Sequence, residues 1–167
     1  MVFYKETDFQ KTEIGRIPKD WKIESIRDVA DVKGGKRLPK GDKLISQKTP
    51  HPYIRILDFK DGKINLEGIN YLSPSTQKKI SRYIISSEDV YISIAGTIGL
   101  AGLILKELDG ANLTENAAKL CNLRKVEKAF LSYLLNSAIL QSQIKTFIGK
   151  GSQPKLALFR IEKLMIP

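Results

Sequence analysis

Alternating and continuous apolar runs predict β-strands over much of the chain. Residues 53–59 (YIRILDF) are rich in β-branched and aromatic side chains, and residues 63–66 (KINL) alternate polar with apolar positions. Asp61-Gly62 lies between these runs and is typical of a hairpin turn, so the two runs are predicted to pair. The same patterns predict strands at 90–94, 100–105 and 117–123.

Apolar positions repeating every three or four residues predict helices. Ser73 precedes a proline and predicts the N-cap of a short helix through residue 81. Residues 127–148 carry the repeat over their whole length, which predicts one long amphipathic helix that ends at Gly149. A strand leading into a helical turn is predicted at 21–29, and a last short helix at 156–164.

These elements predict the fold class and the domain organisation. We expect an α+β protein with a mixed, mainly antiparallel, twisted sheet, flanking helices and the long amphipathic helix in the C-terminal half. No internal repeat, low-complexity tract or linker interrupts residues 1–167, so the chain is predicted to form a single domain. Its 42% hydrophobic content is sufficient to build a core at this length.

The charge of the chain favours an acidic partner. Twenty-eight Lys and Arg residues against 18 Asp and Glu leave a formal charge of +10, and nucleic acid is the first candidate. No apolar run approaches the roughly 20 residues of a membrane helix, and the sequence begins without a charged segment followed by an apolar block. We therefore expect a cytoplasmic protein with no membrane partner.

Cysteine and histidine counts exclude several kinds of chemistry. With Cys121 and His51 as single representatives, the chain cannot form a disulfide or a zinc site of Cys and His ligands. A Cys/His or Ser/His mechanism would have to use His51, which lies between two prolines in a predicted loop and is read as structural. We expect no metal, no cofactor and no catalytic residue.

Two features of the sequence are compatible with an enzyme. Gly96, Gly99 and Gly102 follow a predicted strand, but their spacing and the strand that comes next do not match a nucleotide-binding loop. Asp58 and Asp61 near Lys63 could belong to a magnesium-dependent nuclease. Turn formation explains Asp61, and Asp58 could equally pair with a neighbouring cation, so this alternative is weaker but stays open.

Two basic, glycine-containing loops instead favour binding of DNA. Residues 33–41 (KGGKRLPKG) and 149–155 (GKGSQPK) combine cations with glycines, which allow close approach of the backbone to phosphates. Side chains able to read base edges stand in or beside predicted loops: Arg37, Arg55, Asn112, Asn116 and Gln153. The aromatic residues are dispersed, which disfavours single-stranded nucleic acid.

Several short motifs, in a fixed order, resemble a known family. They are residues 14–21 (IGRIPKDW), Gly34-Gly35 after the first strand, 93–99 (SIAGTIG), 113–118 (LTENAA), 130–134 (FLSYL), the loop 149–155 and the closing 161–167 (IEKLMIP). Together they span nearly the whole chain, which resembles the specificity subunit of type I restriction-modification systems.

The resemblance implies one target recognition domain, a non-catalytic module that reads one half of a split sequence in double-stranded DNA. Such subunits assemble with DNA methyltransferase (modification) subunits and restriction subunits, which perform the catalysis. They contain two recognition domains separated by helical spacers, whereas this sequence stops at Pro167. It is therefore expected to be a fragment or a half-length subunit.

The family layout implies that loops after the first strand, around Thr97, near Asn116 and around Ser152 face DNA. Phosphate positioning is assigned to Lys33, Lys36, Arg37 and Lys150, and base reading to Arg55, Asn116 and Gln153. The full set of predicted DNA-binding residues is Lys33, Gly34, Lys36, Arg37, Arg55, Thr97, Asn116, Lys150, Ser152 and Gln153. Two other functions stay open: a nuclease or methyltransferase accessory domain with its own catalytic residues, and a basic protein-interaction module.

Overall fold

A computed structural model describes residues 5–149 and 151–167. Its strands are β1 (Phe9–Thr12), β2 (Gly15–Pro18), β3 (Glu24–Ser25), β4 (Asp31–Gly34), β5 (Pro52–Ile54), β6 (Phe59–Lys60), β7 (Lys63–Ile64), β8 (Asn70–Tyr71), β9 (Ile84–Ile85), β10 (Val90–Ser93), β11 (Ala101–Leu103), β12 (Ala111–Leu113), β13 (Ala117–Cys121) and β14 (Met165–Ile166). Its α-helices are α1 (Ile26–Val29), α2 (Pro74–Lys79), α3 (Lys128–Asn136), α4 (Ala138–Phe147) and α5 (Leu158–Ile161).

One antiparallel sheet, in the order β11-β10-β13-β4, carries the larger core. Helices α3 and α5 pack against its strands, and α1, α3, α4 and α5 contribute buried apolar side chains to the same cluster. Leu131 and Leu140, one from each of the two longer helices, are fully buried there. This packing follows the expectation for apolar helix faces laid against one side of a sheet.

A second sheet, in the order β8-β5-β12-β9, packs against the other face of the first. Its β5–β12 pair is parallel and its other pairs are antiparallel. The core between the sheets includes Ile54 and Leu113 together with Tyr91 of β10, whose ring is stacked on Phe59 with centroids 4.0 Å apart. The predicted α+β class with a mixed, mainly antiparallel sheet is confirmed.

The predicted hairpin between residues 53–59 and 63–66 forms only at its turn. Phe59 pairs with Ile64 across the Asp61-Gly62 turn, whose residues both have positive φ. Tyr53, however, pairs with Asn70 of β8 and with Asn112 of β12. A 3-10 turn at Ile56–Asp58 separates the two parts, so the segment is two short strands in different sheets.

The prediction of one long helix over 127–148 was wrong, because Ser137 divides the segment into α3 and α4. Ser137 has an extended backbone (φ −69°, ψ 155°), and its side chain accepts a hydrogen bond from the backbone N–H of Leu140. Serine is a favoured N-cap residue, and each helix still buries leucine or isoleucine side chains in the core of the first sheet. Helix α4 ends at Phe147, close to the predicted end at Gly149.

Other local predictions are confirmed. Ser73 caps α2 by accepting a hydrogen bond of 3.2 Å from the N–H of Thr76. Strands β10 and β11 pair around the glycine-containing turn, and the apolar run at 117–121 is β13. No helix in the described part of the chain has the length and apolar character required to cross a membrane.

Candidate nucleic-acid interface

The register of the first sheet gathers three of the predicted loops at one end. Gly34 of β4 lies opposite Ala118, and Ser93 of β10 lies opposite Ala117. Because both neighbours run antiparallel to β13, the segments that follow β4 and β10 meet the segment that precedes β13. Residues 35–41, 95–99 and 114–116 therefore lie at the same end of the sheet.

Backbone contacts bring the second basic loop to this end of the sheet. Ala95 forms an isolated antiparallel bridge with Lys155, and the N–H of Leu156 donates a hydrogen bond of 2.9 Å to the carbonyl of Ile94. The described part of the loop, residues 151–155, is exposed. We call the surface formed by residues 33–41, 95–99, 114–116 and 151–155 the loop face.

Hydrogen bonds fix the backbone of the first basic loop. The N–H of Lys36 donates to the carbonyl of Leu113 at 2.8 Å, and the carbonyl of Lys36 accepts a bond of 2.9 Å from the hydroxyl of Tyr53. The Nζ atom of Lys36 lies 5.4 Å from the ring centroid of Tyr83, which is cation–π geometry. Lys33, Lys36 and Arg37 are all exposed.

Close approach between the two sheets explains one of the two adjacent glycines. A Cβ atom on Gly35 would lie 2.1 Å from the carbonyl oxygen of Thr114 and 2.3 Å from that of Leu113. A Cβ atom on Gly34 would meet only a methyl group of Leu158, at 3.5 Å. Gly35 is therefore required by the fold itself, and its role in approaching phosphates is not needed to explain it.

Arg37 is held by a carboxylate that the sequence did not single out as its partner. Its Nε donates a hydrogen bond of 2.7 Å to Oε1 of Glu115, whose Oε2 accepts one of 2.9 Å from the hydroxyl of Thr114. Burial of Glu115 disfavours its charged form, but the hydrogen bonds from Arg37 and Thr114 outweigh burial and hold the pKa of the carboxyl below its ordinary value. Glu115 is thus ionised at neutral pH and orients Arg37.

Asn116 and Thr97 contribute backbone atoms to the fold and leave their side chains available. The carbonyl of Asn116 accepts hydrogen bonds from the N–H groups of Ile94 and Ala95 at 2.8 and 3.3 Å. The carbonyl of Thr97 accepts from the hydroxyl of Ser93, which closes the turn after β10. Within residues 5–149 and 151–167, the side-chain amide of Asn116 and the hydroxyl of Thr97 have no hydrogen-bond partner.

The second basic loop is only partly described. Ser152 and Gln153 are exposed, and neither side chain has a hydrogen-bond partner among the described residues. Lys150, the cation assigned to this loop, lies outside the described residues. The loop therefore contributes two available polar side chains to the loop face.

Arg55 has a structural role, which corrects its assignment as a base reader. Its Nε and Nη2 donate hydrogen bonds of 3.1 and 2.9 Å to the two carboxylate oxygens of Asp58, and Nη2 also donates to the carbonyl of Gly68 at 3.0 Å. Asp58 is 2% exposed. Removing Arg55 from this pair to contact a base would leave a buried carboxylate without its counter-charge.

Asn112 is likewise unavailable for base reading. The residue is 1% exposed, and its Nδ2 donates hydrogen bonds to the carbonyls of Ile80 and Tyr83, at 2.8 and 3.3 Å. It joins the end of α2 to β12. The sequence placed Asn112 beside a loop, whereas its position in the middle of β12 buries the side chain.

The acidic residues considered for a nuclease do not form a cluster. Asp58 is engaged by Arg55, and Asp61 occupies the hairpin turn with φ 49°. Across residues 5–149 and 151–167, no three His, Cys, Asp or Glu side chains lie close enough together to hold a metal ion.

Comparison with known proteins identifies the class to which this fold and loop face belong. A family model described as the type I restriction modification DNA specificity domain matches residues 18–167, and the chain belongs to this family. One relative, assigned as the specificity subunit of the type I restriction enzyme MjaX of Methanocaldococcus jannaschii, is 30% identical over the whole chain. The chain spans 40% of the length of that relative.

Solved structures show the same fold. The HsdS subunit from Thermoanaerobacter tengcongensis matches 96% of this chain and 36% of its own, with a TM-score of 0.65 and 18% identity. A second solved structure matches 90% of this chain and 34% of its own. It is described as showing the structural basis of complex assembly and conformational transition of the type I R-M system. Its TM-score is 0.69, with 16% identity.

Proposed function

We propose that this chain is one target recognition domain, which binds a specific sequence in double-stranded DNA through the loop face. The observation that carries the proposal is the convergence of loops 33–41, 95–99, 114–116 and 151–155 at one end of the first sheet. The family to which the chain belongs is described as a DNA specificity domain, which supports the same function.

Cations of the loop face are suited to position the DNA backbone. Residues 33–41 contain four basic and no acidic residues, and Lys33, Lys36 and Arg37 are exposed. Phosphate contacts of this kind provide affinity and orientation without sequence information. We assign backbone contact to these three side chains and to Lys150, with Gly34, Thr97 and Ser152 as further contacts.

Amide side chains of the loop face are the candidates for base reading. Asn and Gln can donate and accept simultaneously, which matches the N6 and N7 atoms of adenine in the major groove. Asn116 lies at the centre of the convergent loops, and Gln153 lies in the exposed second basic loop. Both side chains have no partner within the described residues, so DNA would not have to displace an internal hydrogen bond.

Partner subunits complete the proposal. The relatives are named as specificity subunits of restriction enzymes, and a structural neighbour is described in terms of complex assembly of a type I R-M system. We propose that this domain reads one half of a bipartite target for modification subunits, which methylate DNA, and restriction subunits, which cleave it. The proposed location is the cytoplasm, where such a complex meets DNA.

The test is selection of binding sites from a randomised duplex library by the purified chain, followed by anisotropy measurements with the selected duplex. We expect one enriched sequence, and binding that weakens steeply with salt. Asn116→Ala should relax selection at one position, with a loss of roughly 1–3 kcal/mol for the preferred base. Lys36→Gln should instead weaken binding to all duplexes, with a salt slope lower by about one unit.

A matched control and two contrary outcomes make this test decisive. Lys106 is exposed, lies between β11 and β12, and is at the opposite end of both sheets, so Lys106→Gln should leave binding unchanged. Binding without any enriched sequence, or no binding at low salt, would contradict the proposal. Cleavage in the presence of Mg²⁺, or methyl transfer from S-adenosylmethionine, would support the enzymatic alternative instead.

A further inference from the structure

A second basic surface adjoins the loop face, in a cleft between the edge strands of the two sheets. Strand β4 is at one edge of the first sheet, and β9 is at one edge of the second. The cleft between them has a volume of about 360 Å³ and is lined by residues of β4 and β13, by Leu113 and by residues 82–84. We call it the edge cleft.

Three cations line the edge cleft, and none of its lining residues is acidic. Lys33 and Lys119 are direct cross-strand neighbours in the β4–β13 pair, and Arg82 approaches from the segment before β9. Like charges placed opposite each other on neighbouring strands destabilise a sheet. The salt bridge from Lys119 to Asp89 offsets part of this repulsion, and a bound anion would offset more of it.

Only one of these three cations forms a salt bridge within the described part of the chain. Lys119 donates a hydrogen bond of 2.9 Å to Asp89, a buried residue that also accepts from the N–H of Ser86 at 2.9 Å. Lys33 and Arg82 are exposed and form no salt bridge with a described carboxylate. Asp89 thus fixes Lys119 in place while the cleft keeps a net positive charge.

The edge cleft is continuous with the loop face. Gly34 and Gly35 line the cleft and connect Lys33 to Lys36 along the chain. Lys36 lies over the ring of Tyr83, and Tyr83 also lines the cleft next to Arg82. A DNA backbone that contacts Lys36 is therefore close enough to place a neighbouring phosphate in the edge cleft.

We propose that the edge cleft binds a backbone phosphate of duplex DNA through Arg82, Lys33 and Lys119. This inference rests on the proposed function and extends the interface from the loops to β4, β13 and the segment before β9. Arginine matches phosphate oxygens with paired N–H donors, and the ammonium group of Lys119 has three donors, of which Asp89 takes one. Arg82 and Lys119 are new members of the binding surface.

The test compares Arg82→Gln with Lys106→Gln and with Arg82→Lys in duplex binding across a salt series. Arg82→Gln should lower the slope of log affinity against log salt by about one unit and weaken all duplexes equally. Arg82→Lys should restore most of the slope, and Lys106→Gln should match the unmodified chain. Arg82 is preferred to Lys119 for this test, because loss of Lys119 would leave the buried Asp89 without its counter-charge.

Chemical acetylation of lysines provides a second measurement that requires no substitution. Bound duplex should slow the acetylation of Lys119 in mass spectrometry, while Lys106 reacts at the same rate with and without DNA. If the unmodified chain binds no duplex at all, both the proposed function and the edge cleft are wrong. If it binds duplex, but Arg82→Gln keeps the full salt slope and Lys119 stays unprotected, the edge cleft alone is wrong.

Discussion

Arg37 and Glu115 join two loops that are 78 residues apart, through a hydrogen bond of 2.7 Å from Nε to Oε1. The Arg37 side chain is nevertheless 78% exposed, whereas that of Glu115 is 25% exposed. A guanidinium group has five N–H donors, and this bond uses one of them. The pair therefore orients Arg37 on the loop face while most of its donors stay available to a ligand.

The Arg37–Glu115 pair predicts a titration change that NMR can measure. The pKa of Glu115 lies below its ordinary value of 4.5, so its ionised form contributes stability above that pH, and the contribution is lost as the pH falls through the lowered pKa. Arg37→Gln removes a hydrogen bond that favours the charged form, while burial remains. We expect the pKa of Glu115 to rise in this variant.

Arg124→Gln is the matched control for that titration. Hydrogen bonds from Asn122 and then from Arg124 lower the pKa of Asp31, so this variant should raise the pKa of Asp31 and leave that of Glu115 unchanged. An unaltered Glu115 titration in Arg37→Gln would show that the two side chains are not paired in solution.

The Arg55–Asp58 pair predicts a loss of stability when its carboxylate is removed. Asp58 is buried and also accepts a hydrogen bond of 2.7 Å from the N–H of Arg55. Asp58→Ala would leave this amide without its acceptor and the guanidinium without its counter-charge, with the Gly68 carbonyl as its remaining acceptor. Breaking a buried pair of this kind costs about 3 kcal/mol of unfolding free energy. Urea unfolding measures the difference.

Asp61→Asn tests whether the effect belongs to the pair and not to the loss of any acid in this segment. Asp61 is exposed and has φ 49°, a conformation that asparagine also accepts, so the change should stay within about 0.5 kcal/mol. Equal stability of the Asp58→Ala and Asp61→Asn variants would contradict a structural role of Arg55.

Local patterns were sufficient to predict elements whose signals lie within a few residues. The cap at Ser73, the Asp61-Gly62 turn and the β10–β11 pair depend on short-range chemistry, and the structure confirms them. Tyr53 was assigned to the wrong partner, because its pairing with Asn112 joins residues far apart in the sequence. Short-range patterns do not specify which strands become neighbours in a sheet.

The candidate site was predictable as loops but not as individual contacts. Charge and glycine content identified residues 33–41, and the family resemblance identified the segment around Thr97. Lys119 was missed because it is the single charged residue in the apolar run 117–121, which predicts a buried strand. Its position opposite Lys33 becomes visible only with the β4–β13 register.

The break between α3 and α4 predicts a capping effect at Ser137. Its side chain accepts from the N–H of Leu140, so Ser137→Ala should lower the unfolding free energy by about 1 kcal/mol. Ser142 is exposed inside α4, where alanine is the better helix former, and Ser142→Ala should be neutral or stabilising by up to about 0.5 kcal/mol. Thermal unfolding of both variants distinguishes the two serines, and equal effects would argue for a continuous helix.

Gly35 and Gly34 form the sharpest matched pair in the chain, because their neighbours differ so strongly. In Gly35→Ala the new methyl group would lie 2.1 Å from the carbonyl oxygen of Thr114, so β4 or β12 has to move. We expect a loss of about 3 kcal/mol or a failure to fold, since backbone cannot yield as a flexible side chain does. Gly34→Ala meets only Leu158 at 3.5 Å and should change the unfolding free energy by less than about 1 kcal/mol. Urea unfolding of the two variants is the measurement, and a Gly35→Ala protein as stable as Gly34→Ala would show that the two sheets are not in contact at this point.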